Sequence, residues 1–433
     1  MFKFADDMKK KNWAAIALLM ATAMTVGCSS DSDEDVLKPY PIDPAPPGLT
    51  RAEQEMVGSS NDFAFNLFRE ARDGKRSQIL SPISITYALG MLNNGAAGET
   101  QQEINKVLGF SETGAEGINM FCGKMLRRAG TLDEKTKVLI ADNIYMNKGY
   151  ELKPAFKETV KTYYDADAET RDFADGKTRD VINQWGSDHT MGMIKEVLTE
   201  DEFDPTAVSY LLNAIYFKGT WQYQFDKTQT LEELFVTSDI LSEAVEVPMM
   251  HQSAELDYMQ TDDFQALRLP YGNGVWNMTV LLPIAKNNEG PTSEDINMVL
   301  KSLNSASWQK IQQQMEPYKV VVALPRLETD TDINLVPLME NLGMKKAFTH
   351  AAEFPYFCNT PTYIGLMKQV AKIKLDEEGT EAAAVTVIGM KNSMGGSSDE
   401  KSVTFYANHP FLYVISEKET GAIFFIGQYT GYK

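Results

Sequence analysis

The chain has 433 residues, of which 43 % are hydrophobic, 23 % charged and 10 % aromatic, a composition that can fill a core and lies far from that of disordered chains. Forty-one basic against sixty acidic residues leave a net charge of −19, which repels phosphate backbones and argues against a nucleic-acid binder. Three cysteines and four histidines are too few for a disulfide framework or a metal cluster, so no cofactor or metal site is expected.

Residues 8–28 read as an address. Lys9, Lys10 and Lys11 precede an apolar stretch too short to span a bilayer comfortably. It ends in Thr25-Val26-Gly27-Cys28, which resembles a bacterial lipobox and would make Cys28 the lipidated first residue of the mature chain. An ordinary secretory cleavage site with an incidental Cys28 is the alternative, and a start at Met8 rather than Met1 stays open. Residues 1–27 are thus expected to be a lipoprotein signal peptide and 28–53 a tether. The tether's acidic run and its Pro39, Pro41, Pro44, Pro46 and Pro47 cannot pack a core, and at ~3.1 Å per residue it reaches on the order of 60 Å. Acidic residues directly after the cysteine look like the surface-export signal of some Gram-negative lipoproteins; a plain solvated linker reads equally well. The expectation is an exported protein of the outer membrane, exposed at the cell surface and held there by its lipid alone.

In the body, a helix is predicted from Asn61, where Phe63, Ala64, Leu67 and Phe68 share one face. Ser81-Pro82-Ile83-Ser84 marks a second helix start, with serine and proline suited to the cap and first turn, running to Gly95. Strand-like runs follow at 137–145, 209–218, 278–282, 319–324 and 363–375. Residues 411–415 and 422–426 read as two buried strands joined by a Glu419-Thr420-Gly421 turn. Helices come early and strands late, without βαβ alternation, which predicts an α+β fold. Cys122 and Cys358 read as buried, unpaired small hydrophobes, a disulfide between them being the open alternative. His189, His251, His350 and His409 have no ligand spacing. No nucleophile elbow or triad order stands out, so the chain is not expected to be an enzyme.

Residues 375–391 carry the function. They leave a strand at Glu377-Glu378-Gly379 and continue as Thr380-Glu381-Ala382-Ala383-Ala384 before a β-branched run. Taken alternately, Thr380, Ala382, Ala384, Thr386, Ile388 and Met390 form a small, mostly apolar face. No proline interrupts 362–409, so nothing prevents this segment from joining a sheet. A helix start or a permanent strand would fit the same residues. Residues 392–401 then read as a polar, glycine-bearing loop.

The segment 377–384 resembles the hinge of the serpins, and the resemblance spans roughly 54–433. Asn61-Asp62-Phe63-Ala64-Phe65, Leu80-Ser81-Pro82-Ile83-Ser84 and Asn94-Gly95-Ala96-Ala97-Gly98 are similar to the family's opening blocks. Ile182-Asn183-Gln184-Trp185, Leu212-Asn213-Ala214, Lys218-Gly219-Thr220-Trp221, Leu324-Pro325-Arg326, Asn408-His409-Pro410-Phe411 and Phe425-Ile426-Gly427 follow in order. The resemblance implies a serpin fold of three β-sheets and about eight or nine helices, with an exposed reactive-centre loop at about 377–406. It implies a monomeric suicide-substrate inhibitor of serine, and secondarily cysteine, endopeptidases that inserts its cleaved loop into the central sheet. A non-inhibitory protein of the same fold is the alternative. Scissile candidates are Ser393–Met394 by the family's count from Glu377, Lys391–Asn392 for a trypsin-like enzyme, and Met390 or Met394 for a chymotrypsin-, elastase- or subtilisin-like one; the loop is longer than usual, which leaves the register open. In the family's shutter, where the sheet opens, Ser81, Ser84 and Asn183 take matching positions and Gln369 stands where the family has histidine.

Overall fold

The computed structural model describes residues 48–237, 244–284, 293–380 and 401–432, all within one of the chain's two units, Pro39–Lys433. Helix α1 (Arg51–Ala71) starts well before Asn61 because Thr50 and Glu53 form a reciprocal capping box: the Thr50 hydroxyl accepts from the Glu53 amide at 3.2 Å, and the Thr50 amide donates to the Glu53 carboxylate at 2.6 Å. Strand β1 (Gln78–Leu80) leads into α2 (Pro82–Gly95), α3 (Gly98–Leu108) and α4 (Ala115–Thr131). Then come β2 (Thr136–Asn147), α5 (Pro154–Tyr164), β3 (Asp167–Arg171), α6 (Lys177–His189) and β4 (Ser209–Thr220). The middle holds β5 (Leu231–Val236), β6 (Ala244–Gln260), β7 (Phe264–Tyr271), β8 (Trp276–Pro283), α7 (Ser293–Ser302), α8 (Ser305–Gln314), β9 (Glu316–Pro325), β10 (Leu327–Asn334) and α9 (Val336–Leu342). The remainder is β11 (Leu366–Leu375), the two-residue β12 (Gly379–Thr380), β13 (Ser402–Tyr406), β14 (Phe411–Glu417) and β15 (Ile423–Tyr429).

These strands form a six-stranded sheet, β10-β11-β12-β4-β2-β3, and a nine-stranded one, β1-β15-β14-β8-β7-β6-β9-β13, with β5 added on β6. The larger is two sheets sharing one strand: β6 pairs β5 and β9 along most of its length, and only its end, Tyr258–Gln260, pairs β7. With the six-stranded sheet, that accounts for the three expected. Nine α-helices lie among the described residues.

Burial explains the patterning. Every residue of β8, β14 and β15 is buried, which is why those segments read as continuous apolar runs rather than alternating ones. Helix α2 is buried nearly all round, as a helix hydrophobic on all faces must be. A second, smaller core lies where Ile182 and Trp185 of α6 meet Tyr145, Tyr210, Leu212, Ala214 and Val370 of the six-stranded sheet. The apolar run from Tyr363 joins that sheet only at Leu366, because its first residues bond elsewhere: Tyr363 accepts from the Ser209 hydroxyl and Ile364 donates to Ala347. Cys122 and Cys358 are both buried and free.

Strands β1 and β15 pair so closely that a Cβ on Gly427 would sit 2.3 Å from the Tyr413 ring and 2.6 Å from the Gln78 carbonyl. Gly427→Ala is therefore expected to destabilise the protein by about 1–3 kcal/mol, as overpacking does, read as a lower denaturation midpoint with an unchanged slope.

Candidate functional site

The site is a seam. Strands β4 and β11 run parallel and pair directly along Leu366–Ala371 with Tyr210–Ile215. Beyond Ala371 they part, and β12 lies between them, pairing Thr380 with Leu375 on one side and with Gly219 on the other. The six-stranded sheet is thus closed below and open above, with the hinge residues Gly379 and Thr380 already serving as a strand antiparallel to both neighbours.

A tight turn delivers the chain there. The Asp376 amide donates to Gly379 at 2.8 Å and the Gly379 amide to Asp376 at 3.2 Å, while the Glu378 amide donates to the Asp376 carboxylate at 2.9 Å. Gly379 has φ +149°, and a Cβ there would fall 2.1 Å from the Gly219 carbonyl oxygen, so the position requires glycine.

Side chains pin the turn. The Glu377 carboxylate is 1 % exposed and accepts from Arg326 Nε at 2.8 and 3.0 Å, from the other Arg326 nitrogen at 2.5 Å and from the Thr230 hydroxyl at 2.5 Å. Burial alone would raise its pKa; the bonds from Arg326 and Thr230 outweigh it and hold the carboxyl below its ordinary value. Trp221 donates its indole N–H to Asp376 at 2.9 Å and its amide to Glu378 at 2.8 Å, and stacks on Tyr271 with centroids 4.3 Å apart. The Tyr271 hydroxyl lies 2.7 Å from that of the fully buried Thr380.

Lower down, the two strands of the seam meet α2 on one face of the sheet. Gln369 of β11 accepts from the Ser81 amide at 2.9 Å, and its amide nitrogen reaches the Ser81 carbonyl and the Ser84 hydroxyl, both at 3.0 Å, and Asn213 Oδ1 of β4 at 2.7 Å. Ser84 donates to the same Asn213 oxygen at 2.7 Å. An amide both donates and accepts, so glutamine joins the strands through a network that carries no charge. Ser81 is the N-cap residue of α2 yet makes no side-chain cap bond; it joins the network through its backbone, and its hydroxyl has no partner among the described residues.

Asn183 is not part of this network, which corrects the sequence expectation. It sits on α6, where its side chain accepts from the Val197 and Leu198 amides at 2.9 Å and donates to Leu198 at 3.0 Å, fastening the segment after that helix. Asn213 holds the place assigned to Asn183; its location in a conventional strand motif gave no hint that its amide faces Gln369. Asn213 in turn donates to Asp142 of β2 at 2.8 Å. Burial pushes the Asp142 carboxyl up to about 8, the Asn213 bond acting in the opposite direction. The titratable groups coupled to it are Tyr87 of α2, Cys122 of α4 and Tyr164 of α5, all raised by burial and so uncharged near neutrality. His409 lies apart, 3.0 Å from the Pro283 carbonyl, with burial lowering its pKa. Glu381, Ala382, Ala383 and Ala384, the scissile candidates Met390, Lys391, Asn392, Ser393 and Met394, and Cys28 with its tether to residue 47 lie outside the described residues.

Comparisons with known proteins agree with this architecture. The profile of the family described as Serpin (serine protease inhibitor) matches residues 58–431, and the chain belongs to the serpin family. It is 31 % identical to serpin B8 of Homo sapiens, over 87 % of this chain and 99 % of that one. It is 30 % identical to an uncharacterized serpin-like protein of Thermococcus kodakarensis, over 87 % of this chain and 85 % of that one. Among solved structures it is similar to the thermophilic serpin tengpin in the native state, with a TM-score of 0.79, 26 % identity and coverage of 92 % and 98 %. Membership makes it a protein of a protease-inhibitor family and not an enzyme.

Two outcomes follow from the geometry. Arg326→Ala strands a buried carboxylate and is expected to cost about 3 kcal/mol, the low end for a broken buried pair because Arg326 is itself 42 % exposed; chemical denaturation measures it. For Asp142, an unfolded aspartate is deprotonated above about pH 4, so between there and about pH 8 the folded state holds a proton the unfolded state lacks. Stability should fall as pH rises through that window, by at most about 1.4 kcal/mol per unit. Asp142→Asn should flatten this slope in thermal melts across pH 5–9.

Proposed function

We propose that the chain is a suicide-substrate inhibitor of serine endopeptidases, acting through the segment that continues from β12. The observation that carries this reading is the seam parted above Ala371 with Gly379 and Thr380 already paired inside it. A strand begun in that position has one direction to go, downward between β4 and β11.

The chemistry belongs to the attacking protease. Its serine oxygen adds to a loop carbonyl, the scissile C–N bond breaks, and the new amine leaves with the downstream chain, which β13, β14 and β15 keep in the nine-stranded sheet. The upstream chain, esterified to the enzyme, is then free to enter the seam. If residues 379–393 enter, they span about 50 Å at ~3.3 Å each, and the added ladder bonds, at ~1 kcal/mol apiece, are worth on the order of 10–25 kcal/mol. Inhibition is a race between this insertion and hydrolysis of the ester. The small residues Ala382 and Ala384, in alternation with the buried Thr380, suit rapid entry. Met390, Lys391, Ser393 and Met394 are the loop residues offered to elastase-, chymotrypsin-, subtilisin- or trypsin-like enzymes. Lipidation at Cys28, with the acidic tether, would place the inhibitor on the outer surface of the cell.

Incubation with trypsin, chymotrypsin, elastase and subtilisin should yield a denaturant-resistant band at the summed mass with at least one of them, and mass spectrometry of the released peptide locates the scissile bond. Thr380→Arg puts a charge into the space beneath Tyr271 and should shift the outcome from trapping to cleavage by tenfold or more, the effect of ~1.4 kcal/mol on one branch of the race. A wild-type protein that is only clipped, with every protease still active, would favour a non-inhibitory, substrate-like role and overturn this reading.

A further inference from the structure

Lys368 lies on the opposite face of β11 from Gln369 and on the same face as Val370, which packs in the α6 cluster. Its ammonium is fully buried and reaches Glu202 at 2.6 and 2.7 Å and Asp332 at 2.8 Å. These contacts can occupy all three of its donors.

The two carboxylates stand on opposite sides of the seam. Asp332 belongs to β10, which pairs β11 along its whole length, Asp332 opposite Val370; it travels with Lys368. Glu202 belongs to the segment between α6 and β4, and that segment is fastened to the other side. The Asp204 amide donates to the Tyr210 hydroxyl of β4 at 2.8 Å, and Asn147 of β2 donates to Pro205 at 3.1 Å and Ala207 at 2.8 Å. Glu202 is itself positioned by Thr199, which donates its amide at 3.0 Å and its hydroxyl at 2.8 Å.

We infer that Lys368 and Glu202 form a latch across the β4–β11 seam, which must release before a strand can enter, with Asp332 as the counter-ion that stays behind. The inference rests on the insertion reading given above. Admitting one strand moves β4 and β11 from adjacent to next-but-one, adding ~4.8 Å between them, and a 2.6 Å ion pair does not survive that separation while its segment remains bonded to β4. A buried ammonium with no partner would forbid opening. Because Asp332 moves with Lys368, opening breaks one pair and leaves the charge compensated, so the latch resists opening without preventing it.

The two carboxylates therefore have opposite effects. Glu202→Gln removes the latch and keeps the counter-ion; Asp332→Asn keeps the latch and makes Glu202 the remaining anion of the trio. The probe is a synthetic peptide with the sequence of residues 379–390, mixed with the folded full chain, its uptake followed by native gel and by the rise in melting temperature. Glu202→Gln should take up the peptide about tenfold faster than wild type, as loss of one charge-assisted bond predicts, and Asp332→Asn no faster than wild type. Thr199→Ala, which removes the hydroxyl bond to Glu202 and leaves the backbone amide bond, should accelerate uptake in the same direction by less, and carries the test should Glu202→Gln not fold. Wild-type uptake with no acceleration in Glu202→Gln or Thr199→Ala, or faster uptake in Asp332→Asn than in Glu202→Gln, overturns the latch alone. A wild type that takes up no peptide and gains no thermal stability when its loop is cut overturns the insertion reading and the latch together.

Discussion

Two parallel strands, β4 and β11, share hydrogen bonds along only part of their length, and the rest of the molecule is arranged around that half-made join. Above it, a buried carboxylate and a stacked tryptophan hold the hinge turn at the sheet's edge. Below it, an uncharged amide network on one face and an ion-pair trio on the other draw the strands together. Each fastening is polar and local, so each can be broken separately, unlike the apolar packing of β8, β14 and β15, which is continuous and offers no line along which to part.

The placement of charge within that arrangement follows a rule. At the turn, where the chain has only to be held, full charges meet: Glu377 with Arg326 and Lys227 with Glu378. At the network beneath, where strands must slide apart in a buried setting, glutamine, asparagine and serine take over, and the one carboxyl in reach, Asp142, is driven toward its neutral form. A neutral hydrogen bond broken in the interior leaves a modest penalty, whereas a bare charge leaves a large one. Lys368 is the exception, and Asp332 on its own side of the seam keeps it compensated.

Much of this was legible in the sequence, for reasons of pattern. Continuous apolar runs announced β8, β14 and β15, and the proline after Ser81 announced α2. The alternating Leu327–Asn334 segment did not read as a strand because its buried face carries Thr329 and Thr331 in place of apolar residues, and the long β6 is half-exposed along much of its length. Within the site, Glu377, Gly379 and Thr380 could be singled out because their local sequence is unusual. Asn213 and Lys368 could not. Each sits in an ordinary strand, and its importance comes from partners more than a hundred positions away, Ser84 and Gln369 for the first and Glu202 for the second. Asn183 was matched to the shutter through the family resemblance, but which asparagine meets Gln369 is decided by strand register, Gln369 lying opposite Asn213.

The pairing of Ile79 with Gly427 has a consequence for how the molecule is made. Strands β14 and β15 lie between β8 and the edge strand β1, so β1, which comes early in the chain, has no neighbour in that sheet until they are made. Pairing β1 with β15 closes a loop from Ile79 to Gly427, a slow step by the ordinary dependence of rate on contact separation. The strands of the six-stranded sheet all precede β13 in the chain and pair over shorter separations, so the sheet that carries the seam does not depend on that late closure.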